Sequence, residues 1–149
     1  MTDAFWMQQA LDLANRAYTE GEVPVGAVLV SDQNQLLGQG WNQVLQLRDP
    51  TAHAEVMAIR DACQHLDNYR LLNATLYVTL EPCCMCAGAL VHARIKRVVF
   101  ATRDWKAGAA GSVYNLLQGY PLNHQIQIDE GLLQHDCALL LTNFFKTLR

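Results

Sequence analysis

The stretch TLYVTLEPCCMCAGALV, residues 75–91, followed shortly by RVVFA, residues 97–101, decides how the fold is read. Thr75–Leu80 is a β-rich run stopped by Glu81-Pro82, the pattern of a strand that ends in a turn. Pro82 suits a helix start, where a missing N–H costs nothing, and Cys83–Val91 follows as a predicted helix. Arg97–Ala101 is a second apolar strand. Strand, helix and strand in such close succession predict an α/β fold whose sheet is covered on both faces, with sites beyond the carboxyl ends of strands.

The flanking sequence continues that alternation. From Thr2, a good N-cap, apolar residues recur at Trp6, Ala10, Leu13, Ala14 and Ala17, and Gly21 ends the helix they predict. Val25–Val30 and Leu36–Trp41, joined by the polar turn Asp32-Gln33-Asn34-Gln35, read as a hairpin with Asn42 at its end. Asp49-Pro50 signals a helix start, with Asp49 as N-cap and His53 and Glu55 in the first turn; Val56, Ile59 and Cys63 keep helical period. Ile126–Ile128 is a weaker strand, and Glu130–Leu148 is an amphipathic helix carrying Leu133, Cys137, Leu140, Leu141, Phe144 and Phe145. No repeat, low-complexity tract or linker interrupts residues 1–149, so one domain is expected.

Composition narrows the class. With 51% hydrophobic and 17% charged residues the 149-residue chain lacks the signature of disorder. Its longest apolar runs, Val25–Val30 and Ala138–Leu141, fall far short of the ~20 residues that cross a bilayer. A soluble, cytoplasmic protein is expected. A net charge of −3 argues against coating nucleic acid through phosphates alone. Yet Arg94, Lys96, Arg97, Arg103 and Lys106 crowd one short stretch, which reads either as a solvated strand end and loop or as an RNA-facing patch. Five cysteines, three of them within Cys83–Cys86, suit metal binding better than disulfides, with Cys63 and Cys137 as core residues.

His53, Cys83 and Cys86 supply three ligands of the kind that hold a catalytic zinc and leave a fourth position open for water. Cys83 and Cys86 are three apart, on one helix face, and the helix N-terminus favours thiolate. The pair Cys84/Cys86 is the alternative; residues two apart face differently, which would turn Cys84 into the core. Glu55, two beyond His53, is placed as neighbour and general acid/base rather than as fourth ligand. Taken singly, His53 could be an ordinary histidine and Cys83-x-x-Cys86 a redox pair or half of a structural zinc site. A structural site needs four protein ligands, and no second CxxC or HxxxH exists in the sequence. His65, His92, His124 and His135 have no matching partners and are read as surface or interface residues.

Pro50-Thr51-Ala52-His53-Ala54-Glu55 and Glu81-Pro82-Cys83-Cys84-Met85-Cys86-Ala87-Gly88-Ala89 carry both halves of the H-x-E…P-C-x-x-C signature and resemble the cytidine/deoxycytidylate deaminase superfamily. Glu22–Val28, Gly40-Trp41-Asn42, Gly108–Ser112 and Asn143-Phe144-Phe145 are similar to its bacterial tRNA-specific adenosine deaminase branch. The resemblance implies a three-layer α/β/α fold with a central mixed five-stranded sheet, one Zn2+ per subunit, a homodimer, and a tRNA anticodon loop as partner rather than DNA. It implies hydrolytic conversion of adenosine 34 of an arginine tRNA to inosine, with Glu55 moving the protons. By the same similarity Asn42 and the backbone of Ala54 would hold the purine. Asp104 and Lys106 would reach sugar and phosphate, and Phe145, Lys146 and Arg149 would touch the RNA.

Other readings stand beside these. Asn42 alone would be a strand-end turn residue, the 103–115 connection a surface loop and Phe145 a core residue. Cys84 stands where an aliphatic residue is expected, and the chain stops soon after Phe144-Phe145, so no longer basic tail is expected on the RNA. The rival functions are a deaminase of free guanine, cytosine or a nucleotide, and a non-catalytic zinc- and RNA-binding partner.

Overall fold

Strand, helix and strand form where the 75–101 stretch predicts them. The computed structural model describes residues 1–119 and 121–148. The elements are α1 (Asp3–Thr19), β1 (Gly26–Val30), β2 (Leu36–Trp41), α2 (Val44–Leu47), α3 (Ala54–Leu66), β3 (Thr75–Leu80), α4 (Cys84–His92), β4 (Arg97–Thr102), β5 (Gln127–Glu130) and α5 (Gln134–Thr147). The strands make one sheet in the order β2-β1-β3-β4-β5. β1 runs antiparallel to β2 and β3, while β3, β4 and β5 are mutually parallel, so the sheet is mixed and five-stranded, as the resemblance implies.

Side chains that alternate along each strand divide between two cores. Leu76 and Val78 of β3 pack with Ala54, Ala58, Ala87 and Leu90 of α3 and α4. Tyr77, between them, packs on the other face with Met7, Ala10 and Ala14 of α1 and Cys137 of α5. Helices therefore cover both faces, giving three α/β/α layers. Phe100, Leu76 and Leu90 are all fully buried, each contributing on the order of 1.5–3 kcal/mol. On the α1 side Tyr77 Oη donates to Asp3 Oδ1 at 2.6 Å, and Arg97 bridges Asp3 and Asp129 at 2.9 and 2.8 Å.

α3 lies close against β2 because that strand carries Gly38 and Gly40. A Cβ on Gly38 would come within 2.6 Å of Ala62 N, and one on Gly40 within 2.5 Å of Ala58 N and onto the Ala54 carbonyl. The small residues Ala54, Ala58 and Ala62 complete the contact, which seats the first turn of α3 at the end of β2. Gly40→Ala is accordingly expected to lose about 1–3 kcal/mol, the usual range for overpacking. The check is a fall in the urea midpoint at unchanged slope; an unchanged midpoint would show that α3 can shift freely.

Several expectations change. α3 begins at Ala54 with His53 as N-cap, not at Asp49-Pro50. Asp49 spends its carboxylate locally, accepting from Thr51 N at 2.8 Å and Thr51 Oγ1 at 2.6 Å, so it makes a turn rather than a cap. α2 was not expected; its first free amides, Leu45 N and Gln46 N, donate to the buried Glu22 carboxylate at 3.1 and 2.8 Å. α5 starts at Gln134, later than Glu130, because Leu133 takes a left-handed conformation with φ 55°. Cys84 is exposed, not core: α4 turns Cys86, Ala87 and Leu90 inward, and Cys84 falls off that face. Cys137 is buried as expected and Cys63 half-buried. Arg149 lies outside the described residues.

Candidate active site

Two helix N-termini meet at the end of the sheet. Asn42, just past β2, accepts from Ala54 N through Oδ1 at 2.8 Å, which satisfies one free amide at the start of α3 from outside the helix. Cys83, just past β3, is the N-cap of α4. His53 and Cys83 both occupy N-cap positions, yet neither side chain makes a capping hydrogen bond. They turn toward each other instead: His53 Nδ1 lies 3.6 Å from Cys83 Sγ and 3.6 Å from Cys86 Sγ.

The three ligand atoms lie within 4.8 Å of one another. Zn–N and Zn–S bonds of about 2.0 and 2.3 Å at tetrahedral angles put N and S roughly 3.5 Å apart, so the spacing fits zinc without rearrangement. Both thiols sit at the positive end of α4, which favours thiolate. Cys83 is held down to about 4, first by the hydrogen bond from Cys86 and then by His53, whereas its bond to Cys83 and burial push Cys86 up. The bond to Cys83 in turn raises His53.

Glu55 stands in the first turn of α3 and is 4% exposed. Burial, the largest influence, pushes its carboxyl up to about 7, within the range suited to a group that both takes and gives protons near neutrality. Asn42, His53, Glu55, Glu81, Cys83 and Asp104 line one cavity of about 240 Å³. This is below the ~300–1,000 Å³ of pockets for drug-sized ligands, a size suited to one base. The Asn42 Nδ2 group has no protein partner among the described residues and is not sealed from solvent, so it remains a donor for a bound ring. The Ala54 N–H, at the same helix mouth, is given to Asn42 Oδ1.

A larger groove of about 680 Å³ adjoins the cavity, sharing Val23, Leu80 and Asp104 with it. Arg103, Trp105, Lys106, Leu141, Phe145 and Leu148 line the rest of it. Phe145 is 45% exposed and lines the groove, so it is not a core residue; Trp105, which no sequence motif marks, is 71% exposed. Of the basic cluster, Arg97 is held by Asp3 and Asp129, and Arg103 by Glu130 at 2.6 Å, while Arg103 and Lys106 still border the groove.

Glu81 is the other residue that sequence reading passed over, taking it only as a strand stop. It is 2% exposed. Burial opposes its ionisation, but hydrogen bonds from the Ser112 hydroxyl and from the Ser112, Asp104 and Ala110 amides outweigh that and hold the carboxyl below its ordinary value.

Comparison with known proteins agrees with this geometry. Residues 1–102 match the family described as the cytidine and deoxycytidylate deaminase zinc-binding region. A tRNA-specific adenosine deaminase of Haemophilus influenzae is 50% identical over 147 residues, covering 99% of this chain and 85% of that protein. The solved structure of a tRNA:A34 deaminase, studied for A-to-I editing at the wobble position, superposes with a TM-score of 0.88. It is 41% identical and covers 92% of this chain and 99% of its own. A guanine deaminase of Nitrosomonas europaea shares the fold at a TM-score of 0.82 and 25% identity, over 95% and 83% of the two chains. With its mixed sheet, its His-Cys-Cys cluster and the buried glutamate beside it, the chain belongs to the cytidine and deoxycytidylate deaminase family and is a homologue of the bacterial tRNA-specific adenosine deaminases.

Proposed function

We propose that this protein hydrolyses adenosine to inosine at wobble position 34 of tRNA, with arginine tRNA as substrate and one zinc ion per subunit. The observation that carries this reading is the placement of Glu55: a buried carboxylate in one cavity with two of the three metal-ligating residues and with an open groove beside it. A zinc ion held by His53, Cys83 and Cys86 would activate water and stabilise developing negative charge.

The residues supply the rest. Asn42 donates to the purine ring and orients C6. Glu55 takes a proton from the water whose oxygen adds to C6, gives a proton to the ring nitrogen, and passes one to the departing amine. Water and adenosine are consumed, inosine and ammonia formed. An adenosine in a loop is already poorly stacked, so turning it into the cavity costs only a few kcal/mol. The groove suits the neighbouring nucleotides, with Trp105 and Phe145 as stacking faces and Lys106 near phosphate; Asp104 lies at the junction, where it can reach a ribose.

The reading includes a homodimer in the cytoplasm. The exposed side chains Leu66, Tyr69, Leu72, Met85 and Tyr114 offer apolar surface to a second copy. No helix among the described residues is long and apolar enough to cross a membrane. The test is incubation with an arginine tRNA transcript and sequencing for inosine at position 34. Inosine at that position is the expected result. Release of ammonia from guanine, cytosine or deoxycytidylate with no inosine in the tRNA would instead establish the free-base reading, the activity named for the guanine deaminase of the same fold.

A further inference from the structure

We infer that Glu81 is a positioning residue that fixes the 104–112 loop before substrate arrives, setting the wall of the base cavity relative to the metal ligands. Its Oε1 accepts from Asp104 N at 3.1 Å and from the Ser112 hydroxyl; its Oε2 accepts from Ala110 N at 2.9 Å and Ser112 N at 3.0 Å. Four donors from one loop thus converge on a carboxylate that is 2% exposed. The backbone joins the same two segments on either side, Glu81 N to Thr102 O at 2.9 Å and Ala109 N to Pro82 O at 2.8 Å. Gly108 is required at the centre, since a Cβ there would overlap the Glu81 carboxylate.

The loop held in this way includes Asp104 and Ala107, which line the cavity, and Trp105 and Lys106, which line the groove. Asp104 Oδ1 folds the segment on itself, accepting from Lys106 N at 3.0 Å and Ala107 N at 3.1 Å. At its other end the clamp is two residues from Cys83 in sequence, so loop and metal ligand are referenced to one rigid point. Arg103 extends the network, donating to Ser112 Oγ at 3.3 Å and to Glu130. A carboxylate suits the position because all four incoming groups donate. A carboxamide would set its own N–H2 against two of them and leave buried donors unpaired. Such support is what holds binding groups in productive geometry.

The inference rests on the proposed action on RNA only for its kinetic consequence. In Glu81→Gln, amide exchange at Ala110 and Ser112 is expected to quicken about 10- to 100-fold, the effect of leaving buried donors unsatisfied. One zinc per chain should remain. On an RNA hairpin presenting the target adenosine, KM should rise by a similar factor while kcat changes far less. Tyr77→Phe, which removes a hydrogen bond on the α1 side of the sheet, provides a control of lowered Tm with unchanged KM. Glu81→Asp, with its oxygens drawn back, should fall between wild type and Glu81→Gln. Should Glu81→Gln fail to fold, Ser112→Ala removes the hydroxyl donor to Glu81, together with the Arg103 bond to that hydroxyl, and is read the same way. Unchanged exchange at Ala110 and Ser112, or a KM shift that Tyr77→Phe reproduces at equal Tm, overturns the inference. If wild type itself turns over no RNA, the functional reading fails, and the exchange measurement alone decides the clamp.

Discussion

Glu55→Ala is expected to keep one zinc per chain, fold normally and lose about 10²- to 10⁴-fold in turnover, the contribution usual for a positioned general acid/base. The separation follows from geometry. Glu55 is not among the three atoms that converge within 4.8 Å, so its removal leaves the ligand set intact. Its carboxyl is buried and pushed up to about 7 by that burial, so the substitution removes a desolvated polar group and stability need not fall. Glu55→Gln should behave alike, because an amide fills the same space but neither takes up nor releases a proton near neutrality. Inosine formation in the tRNA assay and elemental zinc analysis are the two readouts. If Glu55→Ala turned over within a few-fold of wild type, the proton path would lie elsewhere. A protein that keeps zinc only for structure or RNA binding would show no activity for the substitution to remove.

Loss of a metal ligand should act in the opposite way on metal and on stability. His53 sits at the N-cap of α3, where serine, threonine, aspartate and asparagine are preferred, and its side chain makes no capping bond. His53→Ser is therefore expected to add about 0.5–2 kcal/mol to the metal-free protein by capping α3. Zinc affinity should drop by more than the 10–100-fold that follows loss of a mere outer partner of a ligand, and turnover should drop with it. Thermal unfolding in chelator, elemental analysis and the inosine assay measure the three effects. Unchanged zinc content in His53→Ser would refute the ligand assignment, and an unchanged Tm without metal would refute the claim that function displaces a cap here. Chelator treatment of wild type should abolish activity in parallel.

The same conflict explains which parts of the molecule could be read in advance. All five strands, the last of them weakly, the first helix and the set His53, Glu55, Cys83 and Cys86 are marked by local pattern: β-rich runs, helical period from Trp6 to Ala17, and the spacing of the two short motifs. Those signals lie within a few residues of what they specify. α3 starts later than the local signal Asp49-Pro50 predicts, because its first free amide is satisfied by Asn42 from the end of another element. α2 has no local signal because its amides are satisfied by Glu22, more than twenty residues earlier. The spacing of Cys84 and Cys86 predicts an inward Cys84 only for a helix that includes Cys83, whereas Cys83 precedes the first turn.

The sequence by itself determined the alternation of elements and the two short motifs that carry His53, Glu55, Cys83 and Cys86, because periodicity and motif spacing are short-range properties of the chain. The order of strands, the joining of His53 to Cys83 and Cys86, the loop held on Glu81 and the groove beside the cavity were decided only in three dimensions. Each depends on buried polar groups finding partners across long stretches of chain, and nothing in the neighbouring residues records which partner a carboxylate such as Glu81 or Glu22 will take.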